Sequence, residues 1–253
     1  MLAAERYDRI VELVNIKGSM RVSELSERCR VTEETIRRDL DRLEEAGRLR
    51  RSHGGAVSVK EDQPEIPYRI RETTHAMEKK RIADAALALI VAGDRILLDA
   101  STTAGYMAAN MPDMPLTVLT NSIQVATELS SRDNIEVIST GGQLAARSLS
   151  FVGPLAERSL ETYHVDKLFL SCKGVHLESG SISESNELQA RLKQKMVGIA
   201  DQVILLADAS KFGLRAFARV TGLDEVHTII TDQPLTEEQI SLCSNYQLLI
   251  RTV

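Results

Sequence analysis

The chain lacks the features that would tie it to secretion, metals or membranes. Its three cysteines, Cys29, Cys172 and Cys243, are odd in number and have no ligand spacing. That excludes a disulfide framework and points to reduced thiols in a cytoplasm. The five histidines are scattered without metal-binding spacing, so neither metal nor cofactor is expected. No apolar run approaches membrane-spanning length, and the opening MLAAERYDRI starts a helix without a signal-peptide core. No membrane partner and a cytoplasmic location are therefore expected. No internal repeat or low-complexity segment stands out.

A strong charge of one sign is also missing. Net charge is −5 over 253 residues, with 43% hydrophobic and 26% charged residues, as in a soluble globular protein. The charge is nonetheless uneven. Residues 1–60 hold 13 Lys/Arg against 11 Asp/Glu, and residues 61–253 hold 18 against 25. A mildly basic first stretch on an acidic body is weak evidence by itself, but it suits an anionic partner for that stretch.

What is present begins with VSELSERCRVTEETIRRDLDRLEEAGRLRRSHGGAV, from Val22 to Val57. After a helix over Ala3–Lys17, with Ile10, Val11 and Val14 inward, Met20–Val22 supplies a short strand. Ser23–Cys29 repeats Leu25 and Cys29 at helical spacing behind a serine that can cap free N–H groups. Arg30-Val31-Thr32 makes a tight joint, with Thr32 as N-cap of the next helix. There Ile36, Leu40 and Leu43 recur at i, i+4, i+7, so one stripe packs inward and the other face stays polar. Gly47 ends the helix as a left-handed residue. Arg48, Arg50 and Arg51 then flank Leu49 before Ser52-His53-Gly54-Gly55, the pattern of a two-stranded wing. Residues 46–60 hold Arg48, Arg50, Arg51 and Lys60 and no acid, an electrostatic footprint for phosphate. Helix, turn, helix and basic hairpin make a winged helix-turn-helix that enters the major groove of double-stranded operator DNA. Thr32, Thr35, Arg37, Arg38, Arg42, Arg48, Arg50, Arg51 and His53 are the expected DNA contacts. Arg37 and Arg38 are suited to guanine O6/N7 or phosphate.

Val59 to Pro67 is polar and holds two of the six prolines, which marks a linker. With a short helix over Tyr68–Thr74, the expected division is a head over 1–58, a linker over 59–74 and a second domain over 75–253. A helix over His75–Val91 opens that domain. Strands follow at Arg95–Leu98, Leu116–Leu119, Ile135–Ser139, Lys167–Ser171, Val203–Ala207, Thr228–Thr231 and Gln247–Ile250. Helices at Thr103–Asn110, Ile123–Ser130, Pro154–Thr162, Glu187–Ala200 and Glu237–Cys243 fall between most of them. This α/β alternation implies a mostly parallel sheet covered on both faces.

Ligands of such sheets sit beyond the carboxyl ends of the strands, and polar sequence gathers there. The five ends read Asp99-Ala100-Ser101-Thr102-Thr103, Thr120-Asn121-Ser122, Thr140-Gly141-Gly142-Gln143 with Arg147, Ser171-Cys172-Lys173-Gly174 and Asp208-Ala209-Ser210-Lys211. Hydroxyls and free N–H groups at a helix N-terminus seat anions, although capping alone explains one or two of them. Together the ends suggest a small polyhydroxylated anion.

The chain closely resembles the DeoR family of bacterial transcriptional regulators, over nearly its whole length. The head matches through Val31-Thr32, Thr35-Ile36-Arg37-Arg38-Asp39-Leu40, Leu43, Gly47 and His53-Gly54-Gly55-Ala56. The second domain matches through Leu98-Asp99-x-x-Thr102-Thr103, Thr120-Asn121-Ser122, Thr140-Gly141-Gly142, Phe151-Val152-Gly153, Asp166-Lys167-x-Phe169 and Asp208-x-Ser210-Lys211-Phe212. The resemblance implies a sensor domain with a fold like ribose-phosphate isomerases, binding a phosphorylated sugar or derivative. By it Ser101, Thr102 and Thr103 seat the phosphate, and Asp99, Asn121, Lys173, Glu187 and Lys211 line the sugar end, beside Ser122, Gly141, Gly142 and Arg147. Two departures stand out: Ser101 replaces a usual glycine, and Glu187 is followed by Leu188-Gln189 where an acidic pair is common.

The function expected is a sequence-specific regulator, a repressor of a carbohydrate-utilisation operon relieved by the sugar phosphate. A homo-oligomer, dimer or tetramer, would place winged heads on repeated or inverted half-sites. The alternatives are a sugar-phosphate isomerase fused to a DNA-binding head and a regulator whose effector pocket is blind. Isomerisation needs a positioned base and a cation. Asp99, Asp166, Glu184 and Glu187 qualify as acids and Lys173 or Lys211 as cations, but Asp166 and Glu184 also read as ordinary solvated acids.

Overall fold

The computed structural model describes residues 3–17, 19–52, 54–58 and 65–253. His53, Lys60 and the linker stretch 59–64 lie outside the described residues. The chain divides into two compact units, residues 1–66 and 67–253.

The first unit runs α1 (Ala3–Lys17), β1 (Ser19–Arg21), α2 (Val22–Cys29), α3 (Glu33–Glu45), β2 (Leu49–Ser52) and β3 (Gly55–Ser58). The three strands form an antiparallel sheet in the order β1-β3-β2. Ile10, Leu13, Val14, Leu25, Cys29, Ile36, Leu40, Leu43, Leu49 and Ala56 close one core. Ser23 does not cap α2. That helix starts at Val22 straight from β1, and Val22 N–H donates to the Gly54 carbonyl at 2.9 Å, so the wing satisfies its first turn. Gly55 has no room for a side chain, since a Cβ there would meet the Met20 carbonyl at 2.1 Å.

Asp39 belongs to the inner stripe of α3 yet is charged. Arg6 of α1 grips it with two hydrogen bonds, 2.5 and 3.1 Å, with side-chain exposures of 13% and 5%. Arg6→Met strands that carboxylate. The expected cost is about 2 kcal/mol, read from the denaturation midpoint; an unchanged midpoint would remove the pair from the head's stabilising contacts.

The second unit opens with α4 (Tyr68–Thr73) and α5 (Ala76–Leu87), then β4 (Arg95–Leu98), α6 (Thr102–Asn110), β5 (Leu116–Thr120), α7 (Ile123–Leu129) and β6 (Ile135–Ser139). A hairpin follows, β7 (Gln143–Ala145) and β8 (Ser150–Val152), then α8 (Pro154–Leu160), β9 (Val165–Ser171), β10 (Gly174–His176), β11 (Ser181–Glu184) and α9 (Glu187–Val197). The chain closes with β12 (Ala200–Leu206), β13 (Ala218–Gly222), β14 (Thr228–Thr231), α10 (Glu237–Cys243) and β15 (Leu249–Thr252). Seven of these strands form one parallel sheet in the order β15-β14-β12-β9-β4-β5-β6.

Alternate residues of each strand serve opposite faces. Ile96, Leu98 and Phe169 join Ile82, Met107 and Val125 beneath α5–α7. Leu97, Leu168 and Leu170 join Ala156, Leu192 and Met196 beneath α8 and α9. From β4 the order runs outward both ways, to β5 and β6 on one side and β9, β12, β14 and β15 on the other. The switch point therefore lies between the paired strands β4 and β9, and sheets of this class take their ligands beyond the carboxyl ends at such a point.

Residues 67–74, expected to finish the linker, are part of the second unit. Tyr68 is buried, its N–H donates to the Arg147 carbonyl at 2.7 Å, and Tyr106 Oη donates to the Glu72 carbonyl at 2.8 Å. Two antiparallel additions were not expected: the β7–β8 hairpin and a small sheet ordered β10-β11-β13.

Candidate functional site

The head presents the outer face of α3. Thr32 caps it, its hydroxyl accepting from Thr35 N–H at 3.3 Å, and the two hydroxyls lie 2.9 Å apart. Both threonines thus sit at the entrance of the helix. Arg37 and Arg38 are exposed one turn on, each paired with a carboxylate of the same helix, Glu33 or Glu34. Arg42 and Arg48 face α1: Arg42 donates to Tyr7 Oη at 2.9 Å and Arg48 pairs with Asp8 at 2.8 Å. Arg51 braces the wing on α3 through Asp41 at 3.2 Å and the Arg37 carbonyl at 3.1 Å. Arg50 is exposed on β2. The structure therefore gathers Thr32, Thr35, Arg37 and Arg38 at one helix end, and spreads Arg42, Arg48, Arg50 and Arg51 around it. Arg30, exposed in the left-handed conformation between α2 and α3, was not singled out by the sequence.

In the second unit the carboxyl ends of β4 and β9 are built on a buried charge network. Asp99 is fully buried and accepts from Ser101 N–H at 3.1 Å, Ser171 N–H and Oγ at 2.8 Å each, and faces Lys193 Nζ at 3.2 Å. Lys193 also donates to Glu184 and to the Ser171 carbonyl, both at 2.8 Å. Burial alone would push both carboxyls up, but Lys193, joined by hydrogen bonds, outweighs it and holds Asp99 and Glu184 below the usual carboxylate range. Burial pushes Lys193 down, and Glu184 and Asp99 more than reverse it. All three groups are charged.

This corrects two expectations. Asp99 does not line the sugar end; its oxygens are buried and supplied with donors, so it supports the strand ends from within. Glu187 is exposed on the first turn of α9 and pairs with Arg191 at 2.7 Å, whereas Glu184, three residues earlier, faces inward from β11. Asp166 is no candidate base either. It lies near the amino end of β9, bound to Arg95 at 2.6 Å, and its hydrogen bonds from Arg95 bring its pKa down to about 2.

The polar loops sit around this network. Ser101 caps α6, accepting from Ala104 N–H at 3.0 Å, and Ser122 caps α7, accepting from Val125 N–H at 3.2 Å. Thr102 and Thr103 are buried at the same end of α6. Asn121 donates through Nδ2 to the Phe151 carbonyl at 3.0 Å, and its buried Oδ1 has no hydrogen-bond partner among the described residues. Gly141 and Gly142 both take positive φ, and a Cβ on Gly142 would meet the Val152 carbonyl at 2.9 Å. Arg147 is exposed before β8, and Gln189 donates to the Ser148 and Ser150 hydroxyls at 2.9 and 2.8 Å.

Beyond the carboxyl ends of β9 and β12 the surroundings are cationic. Lys79 is buried, its ammonium donating to the carbonyls of Arg71 at 2.5 Å and Thr74 at 2.8 Å, so it closes the end of α4. Lys173 is half-buried and Lys211 lies 3.9 Å from Asp208. Burial, followed by repulsion from Lys211, brings both Lys79 and Lys173 down to about 8, and Arg71 adds to the repulsion in each case. Lys79 and Lys173 thus each stand close enough to Lys211 and Arg71 to be repelled by both. Asp208 stays ionised among them because Lys211 and the Ser210 hydroxyl outweigh its burial. The sequence marked Lys173 and Lys211 but missed Arg71, Lys79, Lys193 and Gln189, which look like solvated helix residues until their partners are placed. Neighbouring capped helix ends and a cluster of crowded ammonium groups can hold an anion carrying several hydroxyls.

Among the described residues no group of His, Cys, Asp and Glu is placed to hold a metal ion, and no helix is long and apolar enough to cross a membrane.

Two family models match the chain: a DeoR-like helix-turn-helix domain over residues 6–62 and a DeoR C-terminal sensor domain over residues 74–233. An uncharacterized HTH-type transcriptional regulator of Bacillus subtilis, YulB, is 54% identical over 253 residues, covering 100% of this chain and 98% of the relative. The L-fucose operon activator of Haemophilus influenzae is 38% identical, covering 96% and 98%. The transcriptional repressor AccR of Agrobacterium fabrum is 35% identical, covering 90% and 89%. Among solved structures, ribose 5-phosphate isomerase A of Methanocaldococcus jannaschii aligns over 55% of each chain at a TM-score of 0.41 and 15% identity.

Proposed function

The chain belongs to the DeoR family of transcriptional regulators, and from that premise we propose that it represses a carbohydrate-utilisation operon until a phosphorylated sugar binds its second unit. The observation that carries the effector reading is the group of cations in which buried Lys79 and half-buried Lys173 each feel the positive charges of Lys211 and Arg71. A phosphate ester neutralises such a cluster, which exchanges the two ends expected from the sequence: the lysines take the phosphate, and the hydroxyls of Ser101, Thr102, Thr103 and Ser122 with Asn121 Oδ1 suit the polyol. Gly141, Gly142 and Arg147 belong to the loop beside them.

The second unit acts as a sensor and not as a catalyst. A proton-transferring base needs an accessible carboxylate, and both buried acids at the switch point are locked on Lys193. The DNA contacts in this reading come from Thr32 at the cap of α3 and Thr35, Arg37 and Arg38 on it, with Arg42, Arg48, Arg50 and Arg51 around them; His53, outside the described residues, is kept from the sequence. A homo-oligomer in the cytoplasm sets two or more heads on paired half-sites. The effector releases DNA only to the extent that it binds the two head arrangements with different affinity.

Relatives carry both signs, activator in one and repressor in another, so the decisive experiment measures sign as well as ligand. A thermal-shift panel of sugar phosphates, free sugars and polyol phosphates is expected to give a phosphorylated hit, which then weakens operator binding. Thr102→Val with Thr103→Val should keep operator binding and abolish the shift. A hit among free sugars alone, or turnover of the hit, would overturn the reading; tighter DNA binding with the hit would reverse its sign.

A further inference from the structure

We propose that Arg38 is the guanine-reading side chain of α3 and that Glu34 positions it, while Arg37 is held on the helix flank. This rests on the DNA-reading role given above to α3. The distinction lies in which guanidinium nitrogens are engaged. Arg37 donates through Nη2 to Glu33 at 2.6 Å, and its Nη1 lies 3.8 Å from Glu34. Both terminal nitrogens, the pair that would span guanine O6 and N7, are thus turned onto carboxylates of their own helix. Its carbonyl accepts from Arg51 at 3.1 Å, which sets this flank against the wing.

Arg38 is engaged differently. Its Nε lies 3.3 Å from Glu34 Oε1. This is an ion-pair contact without hydrogen-bond geometry, and no hydrogen bond engages either Nη group of Arg38 among the described residues, which leaves the fork that a guanine edge accepts open. Its side chain is 76% exposed against 48% for Arg37. At about 100° per residue, Arg38 stands roughly 200° round the helix from buried Ile36, and Arg37 only about 100°. Arg38 is therefore the arginine opposite the core.

An exposed pair four residues apart is weak in itself. Its effect is to restrict Arg38 before DNA arrives, which lowers the ordering cost of a two-pronged contact. Glu34 is also an acid on a surface that meets phosphates, so its two influences oppose each other. As a bare charge it weakens binding to every duplex. As a positioning residue it sharpens preference at one base pair.

The test measures affinities of the full-length wild type, Arg37→Ala, Arg38→Ala and Glu34→Gln. The duplexes are one selected by the wild type from a randomised pool, its single-base variants and a scrambled control. All three side chains are exposed, so the head's core is untouched. Arg38→Ala is expected to lower affinity for the selected duplex about ten-fold or more and to erase preference at one G·C pair. Arg37→Ala should change selected and scrambled duplexes by the same factor. Glu34→Gln should weaken the preference at that same pair about three-fold or more, bind the scrambled duplex at least as well as wild type, and add nothing to Arg38→Ala. The proposal fails if Glu34→Gln strengthens both duplexes alike with base preferences intact, or if the lost preference follows Arg37. Should neither arginine variant alter binding to the selected duplex, the assignment of α3 to DNA reading falls with it.

Discussion

Replacing Lys193 by methionine should lower the stability of the second unit by about 3–5 kcal/mol, the usual consequence of removing one partner from a buried ion pair. Lys193 neutralises two carboxylates at once, Asp99 at 3.2 Å and Glu184 at 2.8 Å, and Asp99 has no exposure to water. Methionine fills similar space but leaves two like charges facing each other in low dielectric. The loss has a pH signature. In the wild type both carboxyls sit below their ordinary range, so the stability they contribute is present above the unfolded carboxylate pKa and is lost as pH falls through the folded one. Without the ammonium, burial is opposed only by the remaining hydrogen bonds from Ser101, Ser171 and Ser185, so both pKa values rise from their wild-type positions, and the deficit is largest at neutral pH and shrinks in acid. Denaturant titrations at pH 7 and pH 5 measure it. A companion carrying Asp99→Asn and Glu184→Gln on Lys193→Met should recover part of the loss, because the stranded charges go with it. A single variant within about 1 kcal/mol of wild type at pH 7 would mean that water reaches the triad.

The elements that carry apolar periodicity were legible in the sequence. The α1 limits, the Thr32 cap, the Ile36-Leu40-Leu43 stripe and the strands at Arg95–Leu98, Ile135–Ser139 and Thr228–Thr231 stand where their patterns place them. The parallel sheet follows from alternating helices and strands. What escaped is what periodicity cannot report. The β10, β11 and β13 strands run three to five residues, and β11, Ser181-Ile182-Ser183-Glu184, puts one apolar residue among hydroxyls. No local pattern separates it from a turn.

The site shows the same boundary. Strand ends rich in hydroxyls and glycine mark a crevice, because backbone near a ligand needs caps and positive φ. A buried charge is recognisable only by its partner, and Lys193 meets Asp99 and Glu184 from other elements. Glu187 and Glu184 look equivalent in a polar run. The turn into α9 sends one to solvent and the other inward. Arg71 and Lys79 look like helix surface because nothing local says that α4 lies against the sheet unit.

Raising the pH from 7 to 10 should stabilise the second unit and weaken its hold on the anion, two changes of opposite direction from the same groups. Burial and then Lys211 bring Lys79 and Lys173 from 10.5 down to about 8. Between those values the unfolded chain binds more protons than the folded one, so unfolding free energy rises with pH over that window. The drop corresponds to an upper bound of about 3 kcal/mol for each lysine, with the remaining exposure of Lys173 making its share the smaller. Ligand binding runs the other way. A phosphate needs the ammonium forms, which are present at pH 7 and lost as pH passes about 8, so the free protein must take up protons to bind in alkali. Affinity for the phosphorylated hit should then fall about ten-fold or more between pH 7 and pH 9.5 as the two sites deprotonate. Calorimetric titration in two buffers of different ionisation enthalpy measures that uptake directly. Lys79→Met and Lys173→Met should each flatten the pH dependence of affinity. A slope that survives both substitutions would assign it to the ligand or to other groups. Unchanged affinity across the range would place the anion away from these two lysines.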